Sequence, residues 1–111
     1  MTAKMIYEMA ASLSGREILE EYITDNDIAK RNALFTVNQV LWDFSLSGVS
    51  NISENITLTP LLADAVVYGV ARLIAANALD IPKQNELTEI FNLKRAKALG
   101  SIGVVKNSIP V

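Results

Sequence analysis

The chain has 111 residues, half of them apolar and a fifth charged, with a net charge of −2. That composition fits one domain with its own core and does not fit a disordered chain. Cysteine and histidine are both absent, which excludes disulfides, zinc ribbons, thiolate nucleophiles, Ser-His-Asp machinery and His-ligated metals.

Ten basic residues stand against twelve acidic ones, whereas a duplex-binding domain carries a basic stripe along its phosphate-facing side. Only Lys30-Arg31 and the group Lys94, Arg95 and Lys97 bring cations close together. The start of the chain carries Lys4, Tyr7 and Glu8 and does not read as a secretory signal, so an intracellular protein is expected. The longest apolar stretch, 58–79, is interrupted by Asp64 and Arg72. Each charge costs about 3 kcal/mol to bury in hydrocarbon, so no membrane span is expected.

In chain order, Met5, Ile6, Met9 and Leu13 predict a first helix over 3–13, punctuated by Ser14-Gly15. A further helical turn or two is expected over 16–23, with Ile18, Leu19, Tyr22 and Ile23 on one side. Thr24 followed by Asp27 resembles a capping box and opens a second helix reaching about Leu46, with Leu34, Val37, Leu41 and Phe44 as its stripe and Val40 and Trp42 beside it. Residues 49–59 alternate polar and apolar without a partner strand and read as a loop or short β arm. Thr59-Pro60 caps and opens a third helix whose face is Leu61, Leu62, Ala65, Val66, Gly69, Leu73 and Ala76. Asp80-Ile81-Pro82 breaks it, and a fourth helix follows over 83–99, with Leu87, Ile90, Phe91 and Lys94 in register and Gly100 as its stop.

The fold expected is thus all-α, a small bundle of about four helices over 1–100 followed by an extended C-terminal arm over 101–111. The arm carries Ile102, Val104, Val105 and Ile109 before Pro110, with no strand of its own chain to join. Those five residues are the candidate contacts to another subunit. Burying each aliphatic side chain there is worth roughly 1.5 kcal/mol or more before ordering costs.

No catalytic constellation emerges, so the chain does not read as an enzyme. Asp25 and Asp27 form a DxD, but an EF-hand loop starting there would place Lys30 where glycine belongs and Thr36 where glutamate belongs. Glu17, Glu20 and Glu21 read as a solvated helix face. The glycines form no phosphate loop, and neither a cofactor nor a metal is implied. Gly69 sits in a helix interior, where it costs about 1 kcal/mol relative to alanine. With Tyr68 and Leu73 it marks a close helix crossing, at which alanine is expected to be mild and leucine disruptive. The cluster at Lys94, Arg95 and Lys97 reads first as cations at the negative end of a helix ending at Gly100, the alternative being a contact with phosphate or with a partner's carboxylate. Trp42 and Tyr68 are candidate outward anchors.

Asp64, the run Tyr68-Gly69-Val70-Ala71-Arg72-Leu73-Ile74-Ala75 and the run Asn92-Leu93-Lys94-Arg95-Ala96 resemble the small head–tail connector proteins of tailed phages and prophages. Asn38-Gln39-Val40-Leu41-Trp42-Asp43 resembles that family's N-Q-(I/V)-L-x-(D/E) segment, and the likeness spans most of 32–100. The chain departs from the family pattern at Phe91-Asn92 and at Val66-Val67. The resemblance implies a helical adaptor in the virion, at the head–tail junction, assembled in the host cytoplasm. It further implies a homo-oligomeric ring, of about twelve copies in that family, that docks on the portal protein and receives a downstream tail or stopper protein. DNA would pass through its channel without specific binding, which suits a mildly acidic chain. The competing readings are a helix-turn-helix DNA-binding regulator using 16–46 and a carboxylate enzyme using a divalent ion.

Overall fold

The computed structural model describes residues 1–16 and 27–107, with side chains as far as residue 100. Four helices make up the described chain: α1 (Ala3–Leu13), α2 (Asp27–Asp43), α3 (Pro60–Asn77) and α4 (Ile81–Asn107). No strand occurs among the described residues; Thr2 and Asn55 share one isolated antiparallel bridge. The fold is all-helical. The helical turn expected after Arg16 and the capping role expected of Thr24 lie outside the described residues, as do Ile109 and Pro110.

α1 covers the span its periodicity predicts. Thr2 caps it, its Oγ1 accepting from the Met5 amide at 3.1 Å. The first three helices end in the same backbone device, in which a residue with positive φ turns two amides back onto the last turn. After α1 the turning residue is Gly15 (φ 81°), after α2 it is Ser45 (φ 59°), and after α3 it is Leu79 (φ 58°). At the end of α3 the Leu79 amide donates to the Ala76 carbonyl and the Asp80 amide to the Ala75 carbonyl, each at 3.0 Å. Leucine in the left-handed region is disfavoured by roughly 1–2 kcal/mol, and Leu79 is 80% exposed, so it recovers little by packing. Leu79→Gly is therefore expected to raise stability by about 1 kcal/mol, part of the relief being spent on the freer unfolded chain. Urea denaturation with an unchanged m-value would show it; a loss of stability would mean that Leu79 packs where the structure has it exposed.

α3 lies at the centre. Its sequence face is wider than the expected stripe, because Val67, Val70, Ala71, Ile74 and Ala75 are buried along with Leu62, Ala65 and Val66. Three other helices pack on it, so no single face can account for its apolarity. By length and a mean hydropathy of 1.3 it is the one described helix that could cross a bilayer, and half of it is buried within this body. Thr59 holds the N-cap position with extended backbone but makes no side-chain cap hydrogen bond. Its partner in the hairpin, α4, starts under Asp80, whose Oδ1 accepts from the Lys83 amide at 3.3 Å. Pro82 costs nothing in that first turn, where its missing N–H would have no partner.

Two expectations are corrected at the other end of α4. Gly100 does not stop the helix, and 101–107 are not an extended arm: the helical backbone runs on to Asn107. A glycine terminates a helix when it takes a positive φ, and among the described glycines only Gly15 does. Gly100 and Gly103 cost about 1 kcal/mol each, and Ile and Val less than that each, and neither glycine supplies the positive φ that would end the helix. Lys94, Arg95 and Lys97 consequently sit well inside the helix, where its dipole gives them no special support.

The 49–59 segment is a loop that lies against the body as a strap. Its Ile52 and Ile56 are buried. The Lys4 amide donates to the Ile52 carbonyl at 3.0 Å and the Ile56 amide to the Met1 carbonyl at 2.7 Å. The Met1 amino group donates to Asn55 Oδ1 at 2.8 Å. At its other end Asn38 holds Val49 by both backbone groups, Nδ2 donating to the carbonyl at 3.0 Å and Oδ1 accepting from the amide at 2.8 Å. Gly48 is required beneath this clamp, since a Cβ there would come within 2.9 Å of Asn38 Oδ1 and Trp42 Nε1. Asn38→Ala removes both bonds while Val49 stays partly reachable by water, so a loss of about 1–2 kcal/mol is expected. Proteolysis within the strap should quicken in the same variant, and unchanged stability and cleavage together would show the clamp to be idle.

Candidate interaction site

The three runs that carry the family resemblance meet where α2, α3 and α4 cross. Gly69 lies at the centre: a Cβ on it would stand 2.8 Å from Val40 Cγ1 of α2 and 2.8 Å from Phe91 Cε1 of α4. Both neighbours are buried. Phe91 meets Phe44 edge to face, with ring centroids 6.1 Å apart at 88°. The Arg72 guanidinium lies over the Phe91 ring at 4.6 Å, and its Nη2 is 4.0 Å from Asp43 Oδ2. Arg72 Nε is buried there without a hydrogen-bond partner. Tyr68 and Leu73 both pack partly buried against the same core.

Cations cover this junction from α4. The Lys94 Nζ is 2.7 Å from Asp64 Oδ2 and 5.1 Å above the Tyr68 ring. Arg95 stands over Phe44 at 5.7 Å. These aromatic and carboxylate contacts, rather than a helix end, account for Lys94 and Arg95 on α4, while Lys97 is exposed. The hydrogen bond from Lys94 to the Asp64 carboxylate raises the lysine above its usual 10.5, against a smaller opposing effect of desolvation. A raised lysine stabilises the fold at every pH below its unfolded value, and the contribution is lost as pH climbs through the folded one. Asp64→Asn is thus expected to lower the melting temperature slightly at neutral pH, in keeping with a partly exposed, solvent-screened pair. The gap between the two proteins should close above the lysine range; a gap that persists at strongly alkaline pH would count against the ion pair.

Among the described residues no group of three or more carboxylates is placed to hold a metal ion. A cleft of about 590 Å³ lies between the start of α2 and the strap, where Lys30 already pairs with Asp27 at 4.0 Å. What the arrangement offers outward is apolar surface. On α2, Ile28, Phe35 and Trp42 are 68%, 59% and 55% exposed, and their seven-residue spacing puts them on one face. A second surface is a groove of about 500 Å³ between α1 and α3, lined by Met9, Leu13, Ala63, Asp64, Val67 and Tyr68. The expected anchor Trp42 belongs to the first surface. Ile28 and Phe35 are legible in the sequence only as its heptad partners, opposite the denser buried stripe of the same helix. Of the expected arm contacts, Ile102, Val104 and Val105 lie on the helical extension of α4. No protein-family model, curated protein or solved structure matches this chain.

Proposed function

We propose that the chain is a structural head–tail connector (adaptor) subunit of a tailed bacteriophage or prophage. In this reading copies of it form a ring that docks onto the portal protein, receives the next tail or stopper component, and lets DNA pass through its channel without specific binding. It acts by contact and not as an enzyme, with no cofactor. One observation supports this above the others. Val40 and Asp43 of the first resembling run, Gly69 and Arg72 of the second, and Arg95 of the third are brought to one junction with Phe44 and Phe91. Residues shared with a family for packing reasons should converge in that way, and residues shared by coincidence need not.

The end of α4 is the proposed portal contact. Ile102 and Val105 follow the buried Ala98 at intervals of four and seven, a spacing that suits one face of the continuing helix. Val104, Ile109 and Pro110 complete that proposed contact. Removing 101–111 should leave the body folded, its circular dichroism reduced only by the lost turns, while attachment to the portal fails. The decisive experiment is a density map of the particle, with deletion of this chain in parallel: filled heads without tails are expected. Normal tails without the chain, or a head–tail junction lacking it, would overturn the reading. The DNA-regulator alternative draws little from α2, whose outward face carries three large apolar side chains and Arg31 as its one exposed arginine. Salt-dependent binding of the purified protein to duplex DNA would restore it.

A further inference from the structure

We infer that the α2 stripe of one copy seats in the α1–α3 groove of the next, a head-to-tail contact between unlike surfaces of the same chain. The two surfaces are of comparable length. Ile28, Phe35 and Trp42 make a ridge of about 21 Å, and α1, from Ala3 to Leu13, walls the groove for about 15 Å, at 1.5 Å per residue. They also match in charge. Arg31 flanks the ridge, Glu8 stands one turn before the groove-lining Ser12 on α1, and neither side chain has an ion pair or hydrogen bond among the described residues. The groove's remaining carboxylate, Asp64, is already held by Lys94 at 2.7 Å. A neighbour's Arg31 therefore has Glu8 to meet.

The surfaces lie on different sides of the body. Gly69 faces α2 through Val40, and the groove-floor residues Val67 and Asp64 are turned from Gly69 by about 140–160° around the α3 axis. A copy that uses its ridge on one neighbour thus keeps its groove open for another. Such unlike contacts repeat, and they close into a ring or continue as a filament according to the rotation at each step. Ridge-on-ridge pairing would instead stop at two copies and leave the apolar groove uncovered.

The contact gives the proposed ring its subunit boundary and in that respect rests on the connector reading. Its test, however, uses the purified chain alone, so failure here leaves the particle experiment to decide the function, and failure there leaves the contact standing. Two variants are needed, Phe35→Glu/Trp42→Glu without the ridge and Met9→Glu/Leu13→Glu without the groove, all four positions being exposed and circular dichroism checking the fold. Sedimentation of the parent chain at high concentration should show species beyond the dimer, and each variant alone should associate about tenfold more weakly or worse. Mixed in equal amounts the two variants should form dimers and stop there, because each supplies what the other lacks. The absence of cysteine allows a second readout that registers weak contacts. Oxidation of Glu8→Cys mixed with Arg31→Cys should give the mixed disulfide in excess of the random proportion. A parent chain that stays monomeric with random disulfides overturns the proposal, as does a mixture that associates no better than its components.

Discussion

Gly69→Leu is expected to destabilise the protein by about 3 kcal/mol, the upper end of the usual overpacking cost. The first added atom already has no room: a Cβ would stand 2.8 Å from both Val40 Cγ1 and Phe91 Cε1. Val40 is β-branched with one preferred rotamer in a helix, so its methyl cannot swing away. The Phe91 ring is fixed on its other sides by Phe44 and Arg72. The same geometry revises the mild effect that sequence alone suggests for Gly69→Ala. Alanine regains about 1 kcal/mol of helix propensity, but it must first displace a buried ring or a stiff methyl, and a net loss of about 1 kcal/mol is expected. Denaturant titration of both variants tests this; an alanine variant more stable than the parent would mean that the crossing has slack.

Phe91→Ala should cost more, about 3–5 kcal/mol, the range for emptying a phenylalanine site in a core. Three separate contacts go with the ring: the edge-to-face pair with Phe44, the stacked Arg72 and the packing against Gly69. Against a total stability of about 5–15 kcal/mol this is a large fraction, and the melting temperature should drop by roughly 10 °C or more. The loss also couples to the first substitution. With the ring gone, one of the two atoms that obstruct a Cβ at position 69 is gone too, so Gly69→Ala should cost less in the Phe91→Ala background than alone. Additive effects in that double-mutant cycle would place the two residues out of contact.

Much of this was readable from spacing. The limits of α1, the opening of α3 at Pro60, the stripe Val37, Leu41 and Phe44, and the crossing at Gly69 all follow from local signals: apolar periodicity, a cap, and a glycine where a helix has no other use for one. What spacing could not show was set by distant partners. The alternation in 49–59 has the period of a strand, yet Ile52 and Ile56 are buried because the N-terminus and Asn38 hold the loop down. Those contacts span up to 54 residues. Gly100 looks like a helix stop in the sequence, but a stop is a backbone dihedral and not a residue type, and nothing local to it forces that dihedral. The ridge of Ile28, Phe35 and Trp42 was hidden for a different reason. A single large residue per heptad is overwhelmed by the denser stripe on the buried side of the same helix.

The turn device that ends the first three helices has a practical side. It is built on glycine once, and on Ser45 and Leu79 where glycine would sit without strain. Both of those side chains face water, and neither belongs to the core or to the junction around Phe91. The protein therefore carries unclaimed stability at two surface positions, of the kind that natural chains commonly leave unoptimised. A chain with glycine at both would be a sturdier parent in which the damage done by Phe91→Ala or Gly69→Leu could be measured on molecules that are still folded.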